Sequence, residues 1–335
     1  MPHFKLDRKY LPLSVTIILF VLMFAAASIK YPNFLSLQVF FNLLIDNAFL
    51  LISAIGTTFV LLSGGIDISS GAVIALVTVV SAWMVETLGL SPYIAIPAVI
   101  LMATLMGTGM GCLVQYFKFP PFVATLTGMF LARGLCYVIS VEAISITHPL
   151  YVWLSQYHIV FTKGAFLSIN VVIALVVLAA AFVLAHYTRF GRTVYAIGGN
   201  EQSALLMGLP VPRTKVLVYT LNGFCSGLAG VVYSLYMLSG YGNYLVGFEM
   251  DSISSVVIGG TLLTGGVGYV IGTVFGVLIQ GIIQMIIMFD GTLNSWWTKI
   301  VVGLLTLVFI LMQRALTGQK KTQLSAVAKK AQVSK

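Results

Sequence analysis

The sequence predicts an all-α fold, a polytopic transmembrane helical bundle, from three features. Of 335 residues, 59% are hydrophobic and only 8% charged, with a mean hydropathy of +1.03. Soluble domains carry about 25% charged residues. The apolar residues fall in runs of roughly 18 to 25, the length of a helix that crosses the hydrocarbon core of a bilayer. They do not alternate in segments of about ten, as the strands of a membrane β-barrel do.

The basic KLDRKY (5–10) precedes a first span over 11–29. That run lacks a small-residue cleavage site, so a retained helix is expected rather than a removed signal peptide. After the polar KYPNFLSLQVFFN, a second span covers 43–62 and ends at SGGIDISSG (63–71), a glycine- and serine-rich break at membrane depth. The third covers 72–88, and the fourth covers 92–117 and ends at Lys118 and the breaker pair Pro120–Pro121. The fifth covers 122–141, and a mixed loop with interfacial aromatic residues fills 142–165. The sixth, 166–186, ends at HYTRFGR, and the seventh covers 215–238. A loop with Glu249 and Asp251 leads to a shorter, broken eighth segment containing VVIGGTLLTGGVG (256–268). The ninth covers 269–289; the tenth follows Trp296–Trp297 and ends near Gln313. Ten spans are expected, with eight as the alternative; segments two, three and eight make the difference.

The net charge of +9 is not a nucleic-acid footprint. Lysines and arginines gather at the N-terminus, in the loop 187–214 and in the tail 314–335. With the N-terminus inside, an even number of crossings puts Lys118, Arg189, Arg192, Arg213, Lys215 and the tail inside too, as the positive-inside rule requires. Lys30 and Lys163 are the exceptions. Residues 1–10 are thus expected to be a cytoplasmic N-terminus, 11–313 the transmembrane domain, and 314–335 a basic cytoplasmic tail.

The chemistry of catalysis is not written here. There is no GxxxxGK[ST] phosphate loop, HExxH or GxSxG motif, and the four histidines are scattered. The three cysteines lie in apolar stretches without metal spacing. No cofactor or metal is expected, and the chain is not expected to be an enzyme. Of nine acidic residues only Asp67 falls deep in an apolar region, alongside the basic Arg133. Asp67 reads either as a cap of the following helix or as a substrate or proton group; Arg133 reads as a hydrogen-bonding anchor or a substrate contact. The interior is polar through neutral groups: Asn42, Asn47, Thr57, Thr58, Thr125, Thr127, Asn222, Gln280, Gln284 and Asn294. Asn47, Thr57, Thr58, Asp67, Asn222, Gln280 and Gln284 are the candidates for a translocation path. Such groups suit a neutral polyhydroxylated solute, although contacts between helices use the same residues.

Two glycine patterns stand out. Gly64–Gly65 with Gly71 is echoed 195 residues later by Gly259–Gly260 with Gly266, and glycine-broken segments repeated in two halves point to a transport path. Small-xxx-small pairs (Gly107/Gly111, Gly223/Gly227, Gly272/Gly276) permit close helix packing, within one subunit or between two.

YAIGGNEQSALLMGLP (195–210) is the polar exception. Asn200 is a strong N-cap, Glu201 suits a first turn, and Gly208 suits a C-terminal stop with Pro210 and Pro212 beyond. This predicts a helix of two turns over 201–207. So short a helix is not stable alone. It docks either on its own spans or on a soluble motor subunit.

Three blocks resemble a known family. NLLIDNAFLLISAIGTTFVLLSGGIDISSGAVIAL (42–76) resembles the signature of the monosaccharide permeases of the ribose, xylose and arabinose ABC importer family. RFGRTVYAIGGNEQSALLMGLPV (189–211) is similar to that family's cytoplasmic coupling loop, and SVVIGGTLLTGGVGYVIGTVFGVLIQGII (255–283) to its third block. DNAFL, ITHPLY (146–151) and FDGTLNSWWTKI (289–300) most resemble the permeases of the bacterial galactofuranose importer. The resemblance implies a multi-pass permease of the bacterial inner membrane, paired with a second permease, identical in some systems and different in the galactofuranose one. It implies a cytoplasmic ATPase and a periplasmic sugar-binding protein as further partners. Gly198, Gly199, Asn200, Glu201, Gln202, Ser203, Ala204 and Gly208 would then form the coupling helix seated in a cleft of the ATPase. One departure is Ser70: relatives often read SGGIDLSVG where this chain has SGGIDISSG. The rival reading by class is a self-sufficient carrier or channel for a small neutral solute.

Overall fold

A computed structural model of the chain describes residues 11–162, 165–291, 294 and 296–333. The N-terminal segment 1–10 with KLDRKY, Lys163, and part of FDGTLNSWWTKI (292, 293 and 295) lie outside the described residues.

About 77% of the described residues are helical. It runs α1 (Leu11–Lys30), α2 (Leu37–Asp46), α3 (Ala48–Leu62) and α4 (Ser70–Ala82), which continues as a π-helical turn Trp83–Thr87. α5 (Pro92–Gln115) and α6 (Pro121–Ile139) follow. The mixed loop holds β1 (Ile144–Ser145), α7 (Pro149–Gln156), β2 (His158–Thr162) and β3 (Ala165–Ser168), with β2 and β3 paired antiparallel. Then come α8 (Ile169–Tyr187), α9 (Arg189–Gly199), α10 (Glu201–Leu206), α11 (Val211–Met237), β4 (Ser239–Gly240), α12 (Phe248–Ile258), α13 (Val270–Asp290) and α14 (Trp296–Val333). Local chemistry sets several starts. Pro92, Pro121 and Pro149 each open a helix, where the missing N–H costs nothing. The hydroxyls of Ser36 and Ser168 accept from Val39 N and Asn170 N as helix caps.

Eight described helices are long and apolar enough to span a membrane, or nine if α2 and α3, bent by 55° at Asn47, make one span. The expected ten is reached only by also counting the broken eighth segment. That segment is α12 followed by coil, and its 11 helical residues are too few to cross alone. Glu249 and Asp251, expected in a loop, sit in its first turn. The loop 187–214 also differs from expectation: it carries two helices, α9 having passed unnoticed because its polar first turn masks a buried face of Val194 and Ile197.

α3 and α4 form the centre. Every α3 residue but Phe49 is buried, and every α4 residue but Val80. A helix apolar on all faces belongs inside a bundle. α11 packs on α5, α3 and α4. In lipid, apolar burial contributes little to helix association, so close van der Waals contact between small residues carries it. At the α5–α11 crossing, a Cβ on Gly107 would fall on the Tyr219 carbonyl and within 2.9 Å of Gly223 Cα. Gly111 meets Val216 and Tyr219, Gly227 meets Ala103 and Ile100, and Gly272 and Gly276 lie on Gly259 and Ser255. All three small-residue pairs therefore pack inside one chain.

The two glycine breaks share one geometry. α3 ends with Gly64 at φ +79°, its N–H bonded to Leu61 O (2.9 Å) and that of Gly65 to Val60 O (3.0 Å). α12 ends with Gly260 at φ +94°, its N–H bonded to Val257 O (2.9 Å) and that of Thr261 to Val256 O (3.1 Å). Both are Schellman stops, in which a left-handed glycine lets the chain leave the helix. The structural register pairs Gly64 with Gly260, one residue off the sequence echo. The breaks touch: Gly266 N donates to Leu62 O at 2.9 Å.

Candidate functional site

Two places combine polar chemistry with position. One is the end of the bundle that carries α9 and α10. The Asn200 side chain accepts from Ser203 N at 2.8 Å, capping α10 as the sequence predicts. Gly208, at φ +74°, closes it: its N–H reaches Leu205 O (2.9 Å) and Leu209 N reaches Ala204 O (3.1 Å). Ala204 is fully buried among Ile197 and Val211 of the same chain. Lys215 on α11 pairs with Glu201 at 2.7 Å. The opposite face is bare: Gln202 and Ser203 are exposed, and Leu205, Leu206 and Met207 are 49%, 90% and 66% exposed. The short helix is held to its own bundle on one side and offers three apolar side chains on the other.

α9 ties this helix to both glycine breaks. Gly198 sits so close to Leu62 O and Gly266 N that no Cβ fits, and Gly265 presses on Gly64 and Gly198. Tyr195 OH donates to Gly268 O at 2.9 Å. Phe190 lies 6.0 Å from Phe59 of α3, centroid to centroid. Gly199, next to this junction, faces open space.

The second place is a 620 Å³ cavity in the half of the bundle remote from α10. It lies between the α2–α3 bend, the last turns of α11, the start of α12, the second half of α13 and the start of α14. Asn47 lines it and donates to Leu43 O at 2.9 Å. Gly281 lets α13 approach that bend, where a Cβ would press on the Asn47 amide. Gln280 Nε2 donates to Asp251 O at 3.0 Å, and Gln284, a turn later on the same face of α13, makes no hydrogen bond among the described residues. Asp46 accepts from Tyr236 OH at 3.1 Å. Asp251 is ion-paired with Lys299. Phe49, Tyr233, Tyr236 and Phe248 form an aromatic cluster on the wall, with Phe49 4.8 Å from Tyr233 and 5.5 Å from Phe248.

Three of the seven path candidates, Asn47, Gln280 and Gln284, therefore share one wall. The other four do not line the cavity. Thr57 and Thr58 are buried in α3; Thr58 meets Thr273 of α13 at 2.7 Å, an interhelical tie. Asp67 is 2% exposed, with Oδ1 accepting from Ser69 N (2.7 Å) and Ser69 Oγ (2.6 Å), and Oδ2 from Asn222 Nδ2 (2.7 Å). The N-cap of α4 is Ser69, so Asp67 secures the coil before the helix rather than capping it. Ser70 joins this cluster 3.4 Å from Asn222 Nδ2. Arg133 donates to the carbonyls of Gly242 (2.5 Å) and Tyr244 (2.7 Å), the anchoring role. Sequence reading missed Asp46, Asp251, Lys299 and the aromatic wall. The available signals were the Asp46–Asn47 pair inside an apolar run, and Tyr233 and Tyr236 one helical turn apart.

Comparison with known proteins places the chain. The family described as branched-chain amino acid transport system / permease component matches residues 39–310. The chain is 50% identical over 310 residues to the inner membrane ABC transporter permease protein YjfF of Escherichia coli (strain K12), covering 92% of this chain and 94% of that one. It is 38% identical to the fructose import permease protein FruG of Bifidobacterium longum (strain NCC 2705), covering 95% and 96%, respectively. It is also 38% identical to the ribose import permease protein RbsC of Bacillus subtilis (strain 168), covering 86% and 88%. No solved structure matches. A multi-pass helical bundle matched along most of its length by permease components belongs with them: the chain is a member of the branched-chain amino acid transport system / permease component family.

Proposed function

We propose that this chain is a membrane subunit of an ATP-driven monosaccharide importer in the bacterial inner membrane, with α10 as the helix that couples it to a cytoplasmic ATPase. The apolar triad Leu205, Leu206 and Met207 carries the reading: it stands exposed on a capped helix whose other face is fixed to the bundle. The names of FruG and RbsC support the sugar, since each is an import permease for a monosaccharide. Both termini and the loop 187–214 then face the cytoplasm, a second permease completes the translocation path, and a periplasmic binding protein delivers the sugar. Galactofuranose is the sugar favoured by DNAFL, ITHPLY and FDGTLNSWWTKI.

Leu206→Asp tests the coupling role. Burial of a leucine side chain contributes about 1.5–3 kcal/mol, so the variant is expected to bind the ATPase at least tenfold more weakly. The exposed position leaves the fold intact. Co-purification with the ATPase at wild-type yield contradicts the reading.

A further inference from the structure

We propose that the cavity lined by Asp46, Gln280, Gln284 and the aromatic wall is a binding subsite for a neutral monosaccharide, contained within one permease chain. The proposal rests on the transport reading and adds where, and by which groups, the sugar is held.

The size fits, since 620 Å³ lies within the roughly 300–1,000 Å³ of small-molecule sites. The polar groups fit as well. A carboxylate offers about four acceptor positions. Asp46 receives one hydrogen bond, from Tyr236, and no cation among the described residues pairs with it. Gln280 spends its Nε2 on a backbone carbonyl, and its Oε1 makes no hydrogen bond among the described residues. The Gln284 amide brings a further donor and acceptor. Sugar hydroxyls donate and accept, so they satisfy a mixture of this kind. The ring's C–H face suits the flat apolar faces of Phe49 and Tyr236.

Charge narrows the ligand class. The wall carries two carboxylates, Asp46 and Asp251, and one ammonium, Lys299, which Asp251 already neutralises. An anionic sugar acid or sugar phosphate would meet an unpaired carboxylate and no free cation. An amino acid would find a partner for its ammonium in Asp46 but none for its carboxylate. A neutral polyol meets neither penalty. Position completes the case: α3 starts at the cavity and ends, about 22 Å on for 15 residues, at the Leu62–Gly198 junction. α3 thus runs from the cavity wall to the junction that carries α9 and α10.

The test uses the permease complex with its ATPase and binding protein in proteoliposomes, offered D-galactose, D-ribose or D-fructose, with D-galacturonate and L-leucine as charged competitors. Sugar imported per ATP hydrolysed is measured for wild type, Asp46→Asn and Gln284→Ala. Gln284 is exposed, so its substitution leaves packing unchanged. About a tenfold fall for Asp46→Asn and a fivefold fall for Gln284→Ala are expected, with ATPase rates near wild type and recovery in Asp46→Glu. A merely structural defect would lower import and ATPase together. Wild-type ratios in both variants, with wild-type import intact, overturn the subsite and leave the transport reading standing. Absence of import by the wild-type complex overturns the transport reading itself. Competition by leucine or galacturonate overturns the assignment to a neutral sugar.

Discussion

Gly198→Ala, set against Gly199→Ala, isolates the junction between α9 and the two helix breaks. A Cβ at Gly198 would land on Leu62 O and Gly266 N, themselves joined by a 2.9 Å hydrogen bond. Both obstacles are backbone, so no side chain can rotate away. Either the last turn of α9 lifts or the hydrogen bond breaks. Overpacking costs about 1–3 kcal/mol and a lost hydrogen bond about 1 kcal/mol. Gly198→Ala is therefore expected to destabilise the protein by roughly 1–3 kcal/mol. A Cβ at Gly199 meets nothing within 4 Å, and alanine favours helix by about 0.5–1 kcal/mol. Gly199→Ala should hold or raise stability. Thermal unfolding in detergent measures the difference, and ATPase stimulation by liganded binding protein measures its consequence. Gly198→Ala should lower Tm and reduce stimulation at least tenfold, while Gly199→Ala keeps both. Equal Tm and equal stimulation in the two variants would refute a backbone junction between the coupling helix and the breaks.

Ala204→Pro removes the Ala204 N to Asn200 O hydrogen bond of 3.0 Å and clashes with the preceding turn, a cost of about 3 kcal/mol or more. Uptake and ATPase association should both fail while the permease still reaches the membrane; wild-type uptake would show that α10 is not the coupling element. A cysteine at exposed Ser203, in a background lacking Cys112, Cys136 and Cys225, should resist an impermeant thiol reagent in intact cells and react in inverted vesicles. Labelling from outside would invert the topology.

What the sequence made legible follows from which signals are local. The cap at Asn200 and the stop at Gly208 are read from residues a few positions apart, and both appear as expected. Long apolar runs likewise give the spans. The α2–α3 bend was hidden because the apolar run continues through it, and only the side chain of Asn47, bonded back to Leu43 O, marks it. The polar interior divided in a way no local pattern encodes. Asn222 and Asp67 are 155 positions apart, and the Asn222 side-chain amide donates to Asp67, whereas Gln284 makes no hydrogen bond among the described residues and lines the cavity. Which amide meets another side chain and which faces a cavity depends on the helix that lies opposite, and that is set by tertiary contacts such as Gly107 on Gly223.

As a subunit of an ATP-driven importer, the chain is expected to conduct a monosaccharide only within a motor-driven assembly. Reconstitution tests it most directly: radiolabelled sugar uptake into proteoliposomes holding the permease alone, or the permease with its partner permease, ATPase, binding protein and ATP. Uptake is expected from the full set, and none from the permease alone or without ATP. Uptake by the purified chain in the absence of ATPase and ATP would contradict it and establish a self-sufficient carrier.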